Sequence, residues 1–263
     1  MEENRMTRDI VRQILVLIAA FTTIIFNILA NALPLNGLNT GAISDRFQVF
    51  FVPAGYVFSI WGLIYVGLIA YAIYQILPAQ RENPRLRSIG YLFILSCLAN
   101  IAWLFLWHYE IFNFTLIAMV VLLISLIAIY LRLDIGRGEV TTGEKWAVQI
   151  PFSIYLGWIT VATIANTTQL LYFLGWNGWG ISPEIWTMIM LAAGVLISAM
   201  MSLTRADIAF SLVLVWAYLG IAIKHVNTPL VAISALVGAG LILVILIIVL
   251  IRKYRRDTGT PIT

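Results

Sequence analysis

The chain has 263 residues, of which 62% are hydrophobic and 11% are charged, and its mean hydropathy is +0.96. Soluble domains carry about 25% charged residues, so this composition excludes a protein whose whole surface faces water. The net charge of +4 does not indicate nucleic-acid binding. The basic residues lie in the loops and tails between apolar segments, where membrane topology places them.

Eight continuous apolar segments follow one another along the chain. A helix needs roughly 20 apolar residues to cross the hydrocarbon core of a bilayer, whereas transmembrane strands alternate over about ten residues. The segments lie near residues 14–33, 52–77, 89–107, 111–131, 146–172, 185–203, 207–223 and 229–251. The sequence therefore predicts an all-α polytopic membrane bundle of about eight helices, with the lipid bilayer as its surroundings.

The distribution of lysine and arginine predicts the orientation of these spans. Among the 16 basic residues, only Arg46 and Lys224 fall on the side opposite the N-terminus when the eight spans alternate. Loops rich in lysine and arginine stay in the cytoplasm. The sequence therefore predicts an integral protein of the cell membrane with both termini in the cytoplasm.

Three spans concentrate aromatic and amide side chains at steps of three and four residues, which places them on one helix face. These residues are Phe58, Trp61 and Tyr65 in span two, Asn100, Trp103 and Trp107 in span three, and Tyr155, Trp158 and Asn166 in span five. A tryptophan at membrane depth needs a partner for its N–H group. Packing within the bundle would meet that need, and so would a shared aromatic pocket for a flat, apolar ligand.

The predicted spans contain few charged residues and few residues that could bind a metal. Their middles contain no Asp, Glu, Lys or Arg, which argues against an ion-coupled transporter. The single cysteine, Cys97, lies in an apolar run and predicts neither a disulfide nor a zinc site. His108 and Glu110 share the short turn between spans three and four. Two interpretations stay open: they are ordinary polar residues of a turn, or they form a pair that handles protons or contacts a ligand.

The aromatic segments resemble the tryptophan-rich sensory protein/translocator protein (TspO/MBR) family over about residues 10–172. The family's span-two pattern corresponds to Pro53, Gly55, Tyr56, Phe58, Trp61 and Tyr65. Its Asn-x-x-Trp stretch is represented by Asn100 and Trp103, and the run from Tyr155 to Asn166 follows the family nearly position for position. Tyr56 stands where the family has tryptophan, and the chain lacks the family's proline between Phe58 and Trp61.

The resemblance implies a five-helix bundle that binds porphyrin- or sterol-like ligands. It divides the chain into a TspO/MBR-like bundle at 1–175 and a three-helix segment with a basic tail at 176–263. It is also compatible with a bound porphyrin or haem-like tetrapyrrole and with a homodimer. The ligand-binding residues that it implies are Tyr56, Trp61, Tyr65, Asn100, Trp103, Trp107, Tyr155, Trp158 and Asn166.

The sequence is thus compatible with three functions. The first is a sensory or ligand-binding membrane protein for tetrapyrrole- or sterol-like ligands, in which tryptophans stack on the ligand and asparagines orient its polar edge. The second is a permease for a small organic solute or lipid, with the last three helices building a path. The third is a membrane enzyme acting on a prenyl or pigment substrate, which the shortage of buried carboxylates and histidines disfavours.

Overall fold

A computed structural model describes residues 2–33 and 35–258. Within these ranges the chain forms helices and short connections and contains no strand. The prediction of an all-α polytopic membrane bundle is confirmed.

Eight long helices, labelled α1 to α8, account for the eight predicted apolar spans. They are α1 Glu2–Ala32, α2 Ile60–Ile76, α3 Pro84–His108, α4 Phe112–Arg132, α5 Ile150–Phe173, α6 Pro183–Arg205, α7 Ile208–Lys224 and α8 Pro229–Thr258. Seven helical segments of the described chain are long and apolar enough to cross a membrane. The eighth, α7, is apolar but has only 17 residues, which is at the lower limit for a span.

In two of the membrane segments, a turn that is not α-helical precedes the long α-helix. A 3-10 turn at Gly55–Ser59 precedes α2, and a π-helical turn at Lys145–Gln149 precedes α5. Pro151 follows the π-helical turn directly, at the second residue of α5, and it has no N–H group to donate to the preceding turn. Segments two and five are therefore longer than their α-helical parts.

The described residues divide into two compact units. The first comprises those within Met1–Gln48 and Phe58–Trp176, and the second those within Val49–Val57 and Asn177–Thr263. The sequence division at residues 175 and 176 stays a prediction. The compact units differ from it in one respect, because residues 49–57 group with the last three helices.

In the first unit, α3 packs against α1 and α4, and α5 packs against α2 and α4. Two glutamines tie α1 to α2. Gln13 Nε2 donates to the Gln75 carbonyl at 2.5 Å, and Gln75 Nε2 donates back to the Gln13 carbonyl at 3.0 Å. Each amide satisfies a backbone carbonyl, and both side chains are buried, where an unpaired polar group is costly.

Residues 35–48, which follow α1 and which the charge pattern predicts to lie outside the cell, contain a short helix, Thr40–Ser44. We call them the outside loop. Asn39 caps this helix, because its side-chain oxygen accepts the N–H of Ala42 at 2.8 Å. At the other end, Ser44 Oγ accepts a hydrogen bond from Gln169 of α5 at 2.7 Å. The loop is thus fastened to the end of α5 rather than extended into water.

In the second unit, α6, α7 and α8 pack against one another around Tyr218 of α7. The Tyr218 hydroxyl donates to the Leu191 carbonyl of α6 at 2.6 Å. Its ring lies against Gly238 of α8, where a Cβ would stand 2.9 Å from the ring. A fully buried tyrosine therefore fixes the spacing of all three helices.

Residues 49–57 complete the second unit by lying along α7. The Ala54 amide donates to the Gly220 carbonyl at 3.1 Å, and Trp216 Nε1 donates to the Val57 carbonyl at 3.1 Å. Phe51 packs edge-on against Tyr218, with ring centroids 6.5 Å apart. This segment, which we call the α7 strap, precedes α2 in the chain but belongs structurally with the last helices.

His225 lies just after α7, and its surroundings change how readily it binds a proton. Burial lowers the pKa of His225 below its ordinary value, and the positive charge of Lys224 lowers this pKa further. The carbonyls of Phe50 and Val52 act in the opposite direction but do not reverse the shift. The unfolded chain therefore binds the proton more readily than the folded one.

We therefore expect stability to be highest above about pH 6.5 and to fall as the pH drops below that value. Thermal unfolding of the detergent-purified protein between pH 8 and pH 5 would measure this dependence. His225→Gln should show a smaller loss than the unchanged protein. Equal slopes for the two proteins would contradict the assignment to His225.

Candidate functional site

The structure brings together two aromatic pairs that the sequence placed on α2 and α5. Trp61 stacks on Tyr65 with ring centroids 5.7 Å apart and planes 24° apart. The same Trp61 ring meets Tyr155 edge-on at 6.0 Å and Trp158 edge-on at 6.3 Å. We call these four residues the aromatic cluster. Trp61 and Tyr65 are half-buried, whereas Tyr155 and Trp158 are buried.

A second set of rings surrounds Trp107 at the end of α3. Trp103 stacks on Trp107 at 5.4 Å with planes 17° apart, and Phe47 stacks on Trp107 at 5.8 Å. The ring of Phe112 in α4 meets Trp107 edge-on, with ring centroids 5.3 Å apart. Trp107 is consequently almost fully buried. Trp103 and Trp107 therefore form a packed stack that is separate in its ring contacts from the aromatic cluster.

Asn100 links three helices at the level of the aromatic cluster. Asn27 of α1 donates to Asn100 Oδ1 at 2.7 Å, and Asn100 Nδ2 donates to the Tyr155 hydroxyl at 3.2 Å. All three side chains are buried. The amide of Asn100 thus holds Tyr155, one wall of the aromatic cluster, in place.

Asn166 of α5 makes a further link, to α3 and α4. It accepts the Trp103 indole N–H at 3.4 Å and donates to Thr115 Oγ1 of α4 at 3.0 Å. Amides in membrane helices commonly bond neighbouring helices in this way. Both predicted asparagines therefore lie beside the predicted aromatic residues, and both use their amides within the bundle.

The indole N–H groups of the buried tryptophans differ in their partners. Trp107 Nε1 donates to the Thr40 carbonyl at 3.3 Å, and Trp103 Nε1 donates to Asn166. Trp158 is only 3% exposed, and its Nε1 has no hydrogen-bond partner among the described residues. A buried donor without an acceptor costs about 1–3 kcal/mol. Of these three buried tryptophans, Trp158 is the one whose indole N–H finds no acceptor in the described part of the chain.

Tyr56 belongs to a different compact unit from the other predicted site residues. It lies in the α7 strap, in the second compact unit, and its ring meets Trp216 edge-on with centroids 5.4 Å apart. The remaining eight predicted residues all belong to the first unit.

His108 and Glu110 have separate partners, and the structure shows no contact of the kind that a proton-handling pair requires. His108 is 0% exposed, with Nδ1 3.2 Å from the Leu35 carbonyl and Nε2 3.1 Å from Thr40 Oγ1. A carbonyl can only accept, so Nδ1 carries a proton. Glu110 is solvent-exposed and forms an ion pair with Arg46. His108 instead fastens the outside loop to the end of α3.

Sequence reasoning missed Phe47 and Thr40, which complete the surroundings of Trp107 from the outside loop. No helical period marks a loop residue, so no sequence signal could have found them. Asn27 did carry a signal, because it is an amide within an apolar run. Within the described parts of the chain, no three His, Cys, Asp or Glu side chains come close enough to hold a metal ion.

Fold and site together define an all-helical polytopic membrane protein whose first unit holds a partly buried cluster of tryptophan and tyrosine residues, with Asn100 bonded to one of its tyrosines. A family comparison matches the TSPO-like protein family over residues 13–249. The chain belongs to that family, which confirms the resemblance. The match runs past residue 172 through the last three helices, so these helices lie within the matched region. Comparisons with curated proteins and with solved structures found no match.

Proposed function

We propose that the protein binds a flat, apolar ligand of the tetrapyrrole or sterol class at the aromatic cluster. Membership of the TSPO-like family supports this class of ligand. Ring stacking between Trp61 and Tyr65 also supports it, because stacked aromatic rings are suited to hold a further flat apolar ring. These two side chains are half-buried, so part of their surface is available for contact.

The observation that carries the proposal is the unpaired indole N–H of Trp158. In the hydrocarbon region no water is at hand to accept this hydrogen, so the protein bears the cost unless a ligand supplies an acceptor. The carboxylate of a porphyrin or the hydroxyl of a sterol is such an acceptor. Trp158 would thus select a ligand that is mostly apolar but has one polar edge.

The asparagines have a supporting role in this proposal. Asn100 fixes the Tyr155 hydroxyl, and Asn166 fixes the Trp103 indole. Since both amides are engaged within the bundle, they act by holding the rings rather than by orienting the ligand directly. Trp103 and Trp107 then support the helix ends near the outside loop.

Trp158→Phe is expected to weaken protoporphyrin binding about fivefold while leaving the fold intact. The phenyl ring keeps most of the stacking surface but removes the donor, and one hydrogen bond contributes about 1 kcal/mol. Absorbance titration of protoporphyrin with detergent-purified protein would measure the affinity. Thermal unfolding of the same samples would show that the variant is folded, because removing the unpaired buried donor offsets part of the cost of the void left by the smaller ring.

Trp186→Phe is the matched control. Trp186 lies in the second unit, and its indole N–H is already satisfied by the Gly178 carbonyl at 2.9 Å. This variant should bind protoporphyrin as the unchanged protein does. Equal affinities for all three proteins would overturn the role of Trp158. Ligand flux into proteoliposomes without measurable binding would favour the permease instead.

A further inference from the structure

A cavity lined by charged residues opens at the start of α1 and α3, away from the aromatic cluster. Its volume is about 480 Å³, and its walls are formed by Arg5, Arg8, Asp9, Arg12, Arg87 and Tyr91. All six residues belong to the first unit. The distribution of basic residues predicts that this end of the unit faces the cytoplasm.

The cavity has a strong excess of positive charge. Four of its six lining residues are arginines, and Asp9 is the only carboxylate among them. Glu82 lies 3.6 Å from Arg87, but its side chain is 85% exposed and stands at the rim. Even when Glu82 is counted, the positive charge exceeds the negative charge by two.

Asp9 neutralises the inner part of this cluster and leaves the outer part available. It accepts hydrogen bonds from both Nε and Nη2 of Arg87, and the Nε bond measures 3.0 Å. Arg12 Nη1 lies 3.4 Å from the same carboxylate. Arg5 and Arg8 are exposed and form no ion pair with any carboxylate whose side chain the structure describes.

Arg12 is built into the wall rather than loosely attached. It is 4% exposed and donates to the Arg81 carbonyl at 3.1 Å. Its stem crosses α3 at Gly90, where an added Cβ would stand 2.8 Å from Arg12 Cδ. Gly90 therefore makes room for a buried arginine. An arginine that served only to orient the helix in the membrane would not need to be buried in this way.

We infer that this cavity binds a phosphate group, as carried by the headgroup of an anionic phospholipid. The guanidinium group matches phosphate because its planar fork donates two parallel hydrogen bonds. Basic pockets between membrane helices on the cytoplasmic side are suited to anionic lipid headgroups. Tyr91 is 63% exposed beside the arginines, as expected for an aromatic residue at the level of lipid headgroups.

Native mass spectrometry of lipid-depleted protein in a neutral detergent would test this inference. The protein is titrated separately with phosphatidylglycerol and phosphatidylcholine, which differ in net charge. We expect phosphatidylglycerol to bind about tenfold more tightly to the unchanged protein. Arg5→Gln combined with Arg8→Gln should remove most of this preference, because each basic residue adds several-fold to the binding of an anionic lipid.

Arg252→Gln combined with Lys253→Gln is the charge-matched control, since both residues are exposed in α8 of the second unit. This control should keep the preference. Gly90→Ala retains every charge but displaces the Arg12 stem, so it should reduce the preference without changing the net charge. Thermal unfolding would show that each variant is folded.

A third arm distinguishes the source of the phosphate. Millimolar inorganic phosphate that displaces phosphatidylglycerol would show that a free phosphate also fits, and no displacement would identify the lipid headgroup as the ligand. Equal affinity of the unchanged protein for the two lipids would overturn the inference. So would an undiminished preference in the Arg5 and Arg8 variant.

Discussion

Replacing Asn100 with leucine is expected to lower the free energy of unfolding by about 2 kcal/mol. The change removes the acceptor of the Asn27 amide and the donor to the Tyr155 hydroxyl. Hydrogen bonds between membrane helices contribute about 0.6–2 kcal/mol each, and the two bonds of Asn100 connect α1, α3 and α5. Thermal or denaturant unfolding of the purified protein in detergent would measure the loss.

Asn113→Leu provides the matched control, because it makes the same change at an exposed amide near the start of α4. Its stability should stay within about 0.5 kcal/mol of the unchanged protein. The double variant Asn27→Leu with Asn100→Leu should be less unstable than the sum of the single variants, since both remove one shared bond. Wild-type stability of Asn100→Leu would show that this network does not hold the helices.

Replacing Gly194 with alanine is expected to destabilise the second unit by about 1–3 kcal/mol, the range for overfilling a packed core. A Cβ at this position of α6 would overlap the Tyr218 hydroxyl. Tyr218 is fully buried and cannot move aside without giving up its bond to the Leu191 carbonyl. Thermal unfolding followed by near-ultraviolet circular dichroism would report the loss.

Two further variants distinguish the overlap with the Tyr218 hydroxyl from a general effect of adding a methyl group to a helix. Gly240→Ala should not destabilise, because nothing lies within 4 Å of a Cβ built there and alanine favours helix. Tyr218→Phe removes the overlapping hydroxyl, so combining it with Gly194→Ala should cost less than the two single changes added together. Additive losses would place the cause of the Gly194 effect elsewhere.

Much of the first unit could be predicted because helical periodicity is a local property of the sequence. Steps of four and three put Trp61 and Tyr65 on one face of their helix and Tyr155 and Trp158 on one face of theirs. The structure brings the two pairs into contact. The short turn between spans three and four was likewise readable, since α3 ends at His108 and α4 begins at Phe112.

The α7 strap could not be predicted from the same rules. The apolar run of span two continues back to Val52 without a break, so hydropathy alone joins the strap to α2. The helix of α2 starts only at Ile60, and Pro53 and Gly55 precede it. Partners more than 150 positions away leave no periodic trace, so the contact between the Tyr56 ring and Trp216 could not be predicted.

His108 shows the same limit at the level of a single side chain. Its place in a short turn between two spans suggested contact with water, yet the outside loop folds over it and supplies Thr40 and the Leu35 carbonyl. Whether a turn residue is exposed depends on what other segments cover it. That information is tertiary and is absent from the local sequence.

The α7 strap also constrains the order in which the protein can be completed during synthesis. The indole of Trp216 and the carbonyl of Val57 are 159 residues apart. A ribosome adds about 5–20 residues per second, so the strap waits on the order of ten seconds or more for its partner helix. Throughout that interval Phe51, Val52 and Val57, all buried in the finished protein, lack their final surroundings. The nascent chain therefore needs lipid or the insertion machinery to shield this segment until α7 arrives.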